Sequence, residues 1–227
     1  MSVTWANFRA QTARFLNDES YQKYSQALLM DGVNDALRAF ASTHTGVMSD
    51  FEINGDGTVY TFALPSNIID PEDGVYAVQW ANQEWLRREF YWPGNRWPSA
   101  SRTTSSSPRA YVLWPTGYIS FGQVPSDGDT VTVHYVAYYD DVDSDSSVIS
   151  VPNWALEAIK LYVASEALGP GYIKAGQLGQ YKSRREAGKP EDNPLLRLAE
   201  HYMVRYYQIL SAHPAPQWRL VHPMGES

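Results

Sequence analysis

The sequence of 227 residues contains no cysteine. Disulfide bonds, thiolate metal sites and cysteine nucleophiles are therefore excluded, and the redox compartment is left undecided. Basic residues are also few, because 18 Lys and Arg stand against 25 Asp and Glu and give a formal net charge of −7. Proteins that bind nucleic acid through its phosphates need clustered Lys and Arg. The basic stretch at residues 182–185 (K-S-R-R) indicates a solvated helix face, so no basic nucleic-acid-binding surface is expected.

Long apolar runs are also missing. No window approaches the length of a membrane-spanning helix, and the first residues do not place a basic stretch before an apolar one. The sequence therefore predicts a soluble protein without a secretion signal and without contact to a membrane.

Catalytic signatures are not found either. The chain has no G-x-S-x-G elbow, phosphate loop or G-x-G-x-x-G fingerprint, and its five histidines show no zinc-ligand spacing. His134 falls in a strand pattern and His201 in a helical one, so both are expected to be structural. Two of the 25 acidic residues could still converge for glycoside hydrolysis without leaving a sequence signal. We predict a protein that is not an enzyme and needs no cofactor.

Two acidic stretches resemble the first half of a calcium loop, in which alternate carboxylates converge on the cation. In residues 140–146, Ser146 stands where glycine is needed and Pro152 where the closing glutamate belongs. In residues 52–57 the turn glycine is present, but Ala63 occupies the closing position. The sequence therefore predicts two acidic turns and no metal site.

Aromatic residues, by contrast, are abundant: they make up 14% of the chain, with 8 Trp and 16 Tyr. Such side chains are favoured in cores and in protein interfaces, where a large rigid surface is buried at small entropic cost. Strand parity divides the central tryptophans between core and surface, which favours a β-rich core. The alternative function is a carbohydrate-binding β-domain, with sugars stacked on Trp80, Trp85, Trp92, Trp97 and Trp114, or another kind of binding module.

Helical periodicity is confined to the two ends of the chain. One helix is predicted from the cap Thr4 to about residue 16 and a second from the cap Ser25 to about residue 42. Two more are predicted from 150 to 169, with Pro152 in the first turn, and from 194 to about 210. No helix can bury its apolar stripe alone, so the four should pack as a bundle. Its predicted core contains Leu29, Val33, Leu37, Trp154, Ile159, Tyr162, Leu198 and Tyr202.

Between about residues 47 and 140 the periodicity is that of strands. Residues 54–57 (N-G-D-G) have the composition of a hairpin turn and precede an alternating strand at 58–64. A second hairpin is predicted from residues 75–80 and 84–92. This region should hold about six or seven antiparallel strands.

Two further stretches are candidates for contacts with partners. Residues 92–108 are rich in Ser and Thr and predict a long exposed loop. The end of the chain contains prolines that bar a helix, together with apolar side chains, so a docking tail and a disordered terminus are equally good interpretations. The candidate contact residues are Trp92, Trp97 and Arg102 in the loop, and Trp218, Leu220, Val221 and Met224 in the tail.

The order of elements is therefore helix, helix, strands, helix, helix. Helices from both ends need one another as packing partners, which predicts an α+β fold: an α-helical bundle from the N- and C-terminal segments with an inserted antiparallel β-domain. The predicted boundaries are 1–46 and 149–211 for the bundle, 47–148 for the insert and 212–227 for an extended docking tail.

Three stretches carry a resemblance to a known family. Residues 34–37 (N-D-A-L) form an asparagine-x-alanine-leucine core in the second helix. Residues 59–65 (V-Y-T-F-A-L-P) form a strand that ends in leucine-proline, and residues 151–155 (V-P-N-W-A) open a helix that is followed by a tyrosine-rich one. In these features, which span about residues 4–210, the chain resembles the head-to-tail adaptor (connector) proteins of tailed bacteriophages.

The resemblance implies a structural virion protein made in the host cytoplasm and located in the neck. Such a protein would form a ring, expected to be dodecameric, beneath the portal protein and receive a further neck or tail protein. DNA would pass through the lumen without sequence-specific binding. The bundle would form the ring wall, and the apolar tail would dock on the portal or on a neighbouring subunit.

Overall fold

The computed structural model of the chain describes residues 2–70, 74–80, 85–88, 110–169 and 194–215. These residues form two compact units: a helical unit, from residues up to 44 and from 139–215, and a β unit, from 45–138. Helices and antiparallel sheets both occur, which confirms the predicted α+β class. The finer domain boundaries stay a prediction.

The helices of the described residues are α1 (Trp5–Phe15), α2 (Gln26–Thr43), α3 (Asn153–Leu168) and α4 (Pro194–Ala212). The strands are β1 (Val3–Thr4), β2 (Val47–Asn54), β3 (Thr61–Ala63), β4 (Val75–Trp80), β5 (Arg87–Arg88), β6 (Ala110–Trp114), β7 (Tyr118–Phe121), β8 (Thr130–Ala137) and β9 (Val148–Ile149). Strands β1 and β9 pair with each other, and they were not predicted because two residues carry no periodicity.

Helix α2 begins where its capping residue predicts. The Ser25 hydroxyl accepts a hydrogen bond from the Leu28 N–H at 3.3 Å, which satisfies a backbone donor at the helix start. Its buried stripe faces α3, and Gly32 lies against Val163 of that helix. A Cβ added at Gly32 would lie 3.4 Å from Cγ1 of Val163.

Helices α3 and α4 pack along their lengths. Ala158, Leu161 and Tyr206 form the centre of this contact, and small side chains bring the backbones together: the Ser165 hydroxyl donates to the Ala199 carbonyl at 2.9 Å. Pro152 lies immediately before α3, at the capping position, and not in its first turn as predicted.

Four of the eight predicted bundle-core residues are buried. Leu29, Val33, Leu37 and Ile159 are buried, whereas Trp154, Tyr162 and Tyr202 are partly buried. Leu198 differs from the prediction, because 38% of it is exposed. The apolar stripe of α4 is wider than the strip that packs inward, and the neighbouring Ala199 takes the buried position.

The β unit contains two sheets. One has the strand order β2-β8-β4 and the other β3-β7-β6-β5. They share a core that includes Trp80, Ile119, Phe121, Val131 and Val133. Every strand pair in these sheets is antiparallel except the short pair of β5 with β6, which is parallel.

The predicted hairpin at residues 54–57 is wrong. Strand β2 pairs with β8, and β3 pairs with β7 in the other sheet, so these residues connect two sheets. The reason is local: the Asp56 carboxylate accepts hydrogen bonds from the N–H groups of Thr58 and Val59, both at 2.8 Å, and turns the chain away from β2.

The second predicted hairpin is present in part. Gln79 forms an antiparallel bridge with Trp85, but the chain then joins β6 in the parallel direction at Arg87. The remainder of this hairpin lies outside the described residues. Among the residues that the structure covers, no helix has the length and apolar character needed to cross a membrane.

Candidate functional site

The side chain of Asn34, in the N-D-A-L motif, forms hydrogen bonds with the backbone of the segment after β8. The Asn34 side chain donates to the Val142 carbonyl at 3.1 Å and accepts from the Val142 N–H at 2.8 Å. Val142 itself is 3% exposed, so both of its backbone groups depend on this amide. Ala36 and Leu37 of the same motif are buried in the helical unit. The motif therefore fixes the segment that follows β8 against α2.

Two arginines pair with the acidic residues on either side of Val142. Arg38 of α2 lies 2.8 Å from Asp141, with both side chains about half exposed. Arg9 of α1 lies 2.7 Å from Asp145, and its side chain is only 15% exposed. Two of the four aspartates in the acidic run after β8 are thus paired with arginines of the helical unit.

Arg9 has further contacts that the sequence analysis missed. Its guanidinium also donates to the Gln26 side chain at 2.8 Å and lies over the rings of Trp5 and Tyr21, at 5.8 and 5.7 Å from their centroids. The available signal was the spacing of Trp5 and Arg9, one helical turn apart on the buried side of α1.

The two stretches tested for calcium binding are hydrogen-bonded turns. In the first, the Ser147 hydroxyl donates to Asp143 at 2.7 Å, and this bond lowers the pKa of the Asp143 carboxyl. In the second, the N–H groups of Val59 and Thr58 lower the pKa of the Asp56 carboxyl. No group of three metal-ligating side chains occurs in the described parts of the chain.

An aromatic cluster surrounds Trp154, the tryptophan of the V-P-N-W-A motif. Its ring stacks on His213 with 4.2 Å between centroids and 14° between planes, and it meets the edges of Phe40 and His44. His44 is 6% exposed, and its Nε2 contacts the His213 carbonyl. The cluster joins the ends of α2 and α4 to the start of α3.

A second cluster lies on the three-stranded sheet, on the side opposite the core. His134 of β8 stands directly across from Asp50 of β2, and its Nδ1–H donates to the Asp50 carboxylate at 2.6 Å. The rings of Tyr76 and Trp85 lie 6.0 and 5.6 Å from the imidazole. His134, predicted to be structural, therefore sits in a polar and aromatic group at the surface.

The described tryptophans do not form the platform considered from the sequence. Trp80 is buried at 5% exposure, and Trp114 is partly buried with its indole N–H donating to the Ser120 hydroxyl at 2.8 Å. Trp85 is 61% exposed. The predicted loop residues Trp92, Trp97 and Arg102, and the tail residues Trp218, Leu220, Val221 and Met224, lie outside the described residues.

The chain was compared with curated proteins and with solved structures. No curated protein matches the chain. Among solved structures, one similar chain comes from the "Neck of empty GTA particle computed with C6 symmetry", with 15% identity over 89% of this chain and 94% of that one. The TM-score is 0.25, at which no shared arrangement is inferred.

The family comparison covers most of the chain. Residues 3–198 match the family described as SU10 adaptor protein. This range includes the three motif stretches at residues 34–37, 59–65 and 151–155, the sheets, and the helices α1 to α3 with the first residues of α4. The chain therefore belongs to the SU10 adaptor protein family and is a structural head-to-tail adaptor of the virion.

Proposed function

We propose that this adaptor forms a closed ring, expected to be dodecameric, between the portal protein and a further neck or tail protein, and that it has no enzymatic activity. Family membership supports the neck location. The observation that carries the ring is the outer side of α4, where Val204 and Tyr207 are 54% and 56% exposed. They lie three residues apart, on a helix that already packs against α3 through Tyr206.

Exposed apolar side chains of this size indicate a protein contact. In a closed ring each subunit presents one surface to a different surface of its neighbour. The outer side of α4 is our candidate for one of these two surfaces. The helical unit then forms the ring wall.

The acidic composition supports a DNA conduit. A basic lumen would bind the phosphates and retard the passage of DNA, whereas a chain with a net charge of −7 offers few such contacts. DNA therefore passes through the lumen without sequence-specific binding.

The test of the ring is the mass of the purified chain by light scattering, with and without its portal, followed by particle imaging. We expect a ring on the portal for the unaltered chain and loss of that ring in Val204→Asp/Tyr207→Asp. Gln208→Asp, which adds a charge at a neighbouring exposed position of α4, is the matched control. A chain that remains monomeric with the portal present contradicts the proposal.

The apolar tail is proposed to dock on the portal or on an adjacent subunit through Trp218, Leu220, Val221 and Met224. The truncation that tests this should end at Ala215, because His213 stacks on Trp154 and belongs to the helical unit. We expect the truncated chain to stay folded and to lose portal binding. Undiminished portal binding would count against the tail.

The loop of residues 92–108, with Trp92, Trp97 and Arg102, is proposed to face the next tail component. Deletion of residues 99–107 should impair tail joining while ring formation on the portal continues. Unchanged tail joining after this deletion would contradict the proposal that the loop contacts the next tail component.

A further inference from the structure

The outer face of the β2-β8-β4 sheet is shaped by a bulge. Val75 pairs with Tyr135 and Ala77 with His134, so the register of β4 shifts at Tyr76, which is the additional residue of the bulge. A bulge of this kind redirects a side chain, and it brings the Tyr76 ring to 6.0 Å from His134. The small Ala77 beside His134 leaves room for Trp85, which the bridge to Gln79 positions.

The same face carries two exposed carboxylates for which the described residues supply no Lys or Arg partner. Asp50 is 61% exposed and its one ionic contact in the described residues is with His134. Glu52, two residues along β2, is exposed and has no ion pair among the described residues. Burial raises the pKa of the Tyr76 phenol, and the Asp50 carboxylate raises it further, which indicates that the negative potential extends over this ring.

Aromatic faces next to carboxylates are suited to a cationic side chain. A guanidinium stacks on an indole or phenol ring and bonds a carboxylate with two parallel N–H groups, whereas an ammonium matches neither geometry as well. The Trp85 ring is 61% exposed and therefore accessible for such stacking. His134 bonds the Asp50 carboxylate and lies close to both rings.

We propose that Asp50, Glu52, Tyr76 and Trp85 form a docking site for an arginine-bearing segment of another virion protein. We assign the arginine to a different protein, because a basic partner is attracted both by these carboxylates and by the chain's net charge of −7. The inference rests on membership of the adaptor family and not on ring formation, so failure of one leaves the other standing.

The chemistry of the site is tested on the full chain by NMR, with the Trp85 indole N–H assigned from a Trp85→Phe variant. The probe is the capped peptide Gly-Arg-Gly-Arg-Gly, and its control is the same peptide with citrulline, which keeps the shape of arginine without its charge. We expect a saturable shift of the Trp85 signal with the arginine peptide only. In Asp50→Asn/Glu52→Gln the affinity should fall about tenfold or more.

Three results would overturn the proposal: no shift, equal shifts with both peptides, or an affinity unchanged in the double variant. A neutral oligosaccharide that shifts the Trp85 signal when the arginine peptide does not would identify a sugar site instead. The variant's amide spectrum, compared with that of the unaltered chain, separates loss of binding from loss of folding.

The occupant is tested in assembled particles. A photo-reactive phenylalanine replaces Met48, which is 58% exposed and lies on the same face two residues from Asp50. We expect a cross-link to an arginine-containing peptide of a different virion protein. A cross-link to another copy of this chain, or none at all, contradicts the assignment.

Discussion

Acidic side chains serve different purposes in the two units. In the helical unit, Asp141 and Asp145 each pair with an arginine of the same unit. On the outer face of the β2-β8-β4 sheet, Asp50 contacts only a histidine and Glu52 has no ion pair in the described residues. The first set stabilises the fold, whereas the second is available to a partner. The net charge of the chain does not show which carboxylates stabilise the fold and which are available to a partner. The positions of the arginines show it.

Among the described acidic residues of the helical unit, Asp18 is the one that is buried. It is 6% exposed, and its two carboxylate oxygens accept hydrogen bonds from the N–H groups of Gln22, Lys23 and Tyr24 at 2.8 to 3.0 Å. These bonds form the connection between α1 and α2, in which Tyr21 has a positive φ of 56°. The fold of this connection therefore depends on an ionised carboxyl.

The largest effect is expected at this residue. In Asp18→Asn the amide oxygen can accept the bonds from Lys23 and Tyr24, but the NH₂ group then meets the Gln22 N–H and the charge that strengthens all three bonds is lost. The unfolding free energy should therefore fall by about 3 kcal/mol. Chemical denaturation at neutral pH measures it. Asp56→Asn is the control: one oxygen of the exposed Asp56 accepts both of its bonds, and asparagine retains such an oxygen, so the loss should be clearly smaller.

The effect of Asp18 should also depend on pH. Burial raises the pKa of the Asp18 carboxyl, but the N–H groups of Tyr24, Lys23 and Gln22 outweigh it, so the pKa lies below 3.8. A lowered folded-state pKa means that the stabilisation is complete above the unfolded-state value and is lost as pH falls through the folded-state value. The difference between the unaltered chain and Asp18→Asn should narrow below about pH 3.8. A difference that stays constant as the pH falls below about 3.8 would contradict the role of the charge.

Asn34→Ala is the next largest change. It removes two hydrogen bonds and leaves both backbone groups of the buried Val142 unpaired, so we expect a loss of about 2 kcal/mol in unfolding free energy. Asn54→Ala removes an exposed amide at the end of β2, where its contact with Thr130 is long at 3.5 Å. Equal losses in the two variants, measured by denaturant unfolding, would show that the segment after β8 does not depend on Asn34.

The pairs Arg9–Asp145 and Arg38–Asp141 have nearly equal N–O distances but differ in the burial of the arginine, so they show how burial changes the strength of an ion pair. Double-mutant cycles with Arg9→Met and Asp145→Asn should give a coupling of about 1 kcal/mol, because Arg9 is largely removed from water. The cycle of Arg38→Met with Asp141→Asn should give less than about 0.5 kcal/mol, since both side chains are half exposed. A larger coupling for the second pair would refute burial as the deciding factor.

The sequence predicted the helices well because their signals are local. The cap at Ser25 and the stripe through Leu29 and Phe40 lie within a few turns of one another. The pairing of β2 was not predictable in this way, since its partner β8 lies far along the chain and residues 54–57 match a hairpin turn equally well. Composition does not distinguish a turn within a sheet from a turn between sheets.

The candidate sites were predicted less well for the same reason. The N-D-A-L motif marked a helix core, but the contact of Asn34 is with a residue 108 positions away. On the sheet, His134 carried only a strand pattern, and its position beside Tyr76 depends on a bulge that leaves no mark in the alternation. Both sites depend on contacts between elements that are distant in sequence.

The smallest effect on stability is expected on the open sheet face. Glu52→Gln should change unfolding free energy by less than about 0.5 kcal/mol, because no cation in the described residues depends on Glu52. The effect of Asp50→Asn is expected in the pKa of the Tyr76 phenol. Burial is the main reason for the raised pKa of Tyr76 and Asp50 is the second, so removing the carboxylate should lower this pKa without returning it to 10.0.

Ultraviolet titration of the phenol, with Tyr76→Phe to assign its contribution, measures this shift. Glu52→Gln is the matched control, since it removes the same charge from the same face without touching His134. An unchanged Tyr76 pKa in Asp50→Asn would mean that the carboxylate does not act on the ring. The proposed site on the β2-β8-β4 sheet would then lack electrostatic coupling between its carboxylates and its aromatic rings. The ion pairs of Asp141 and Asp145 in the helical unit would not be affected by that result.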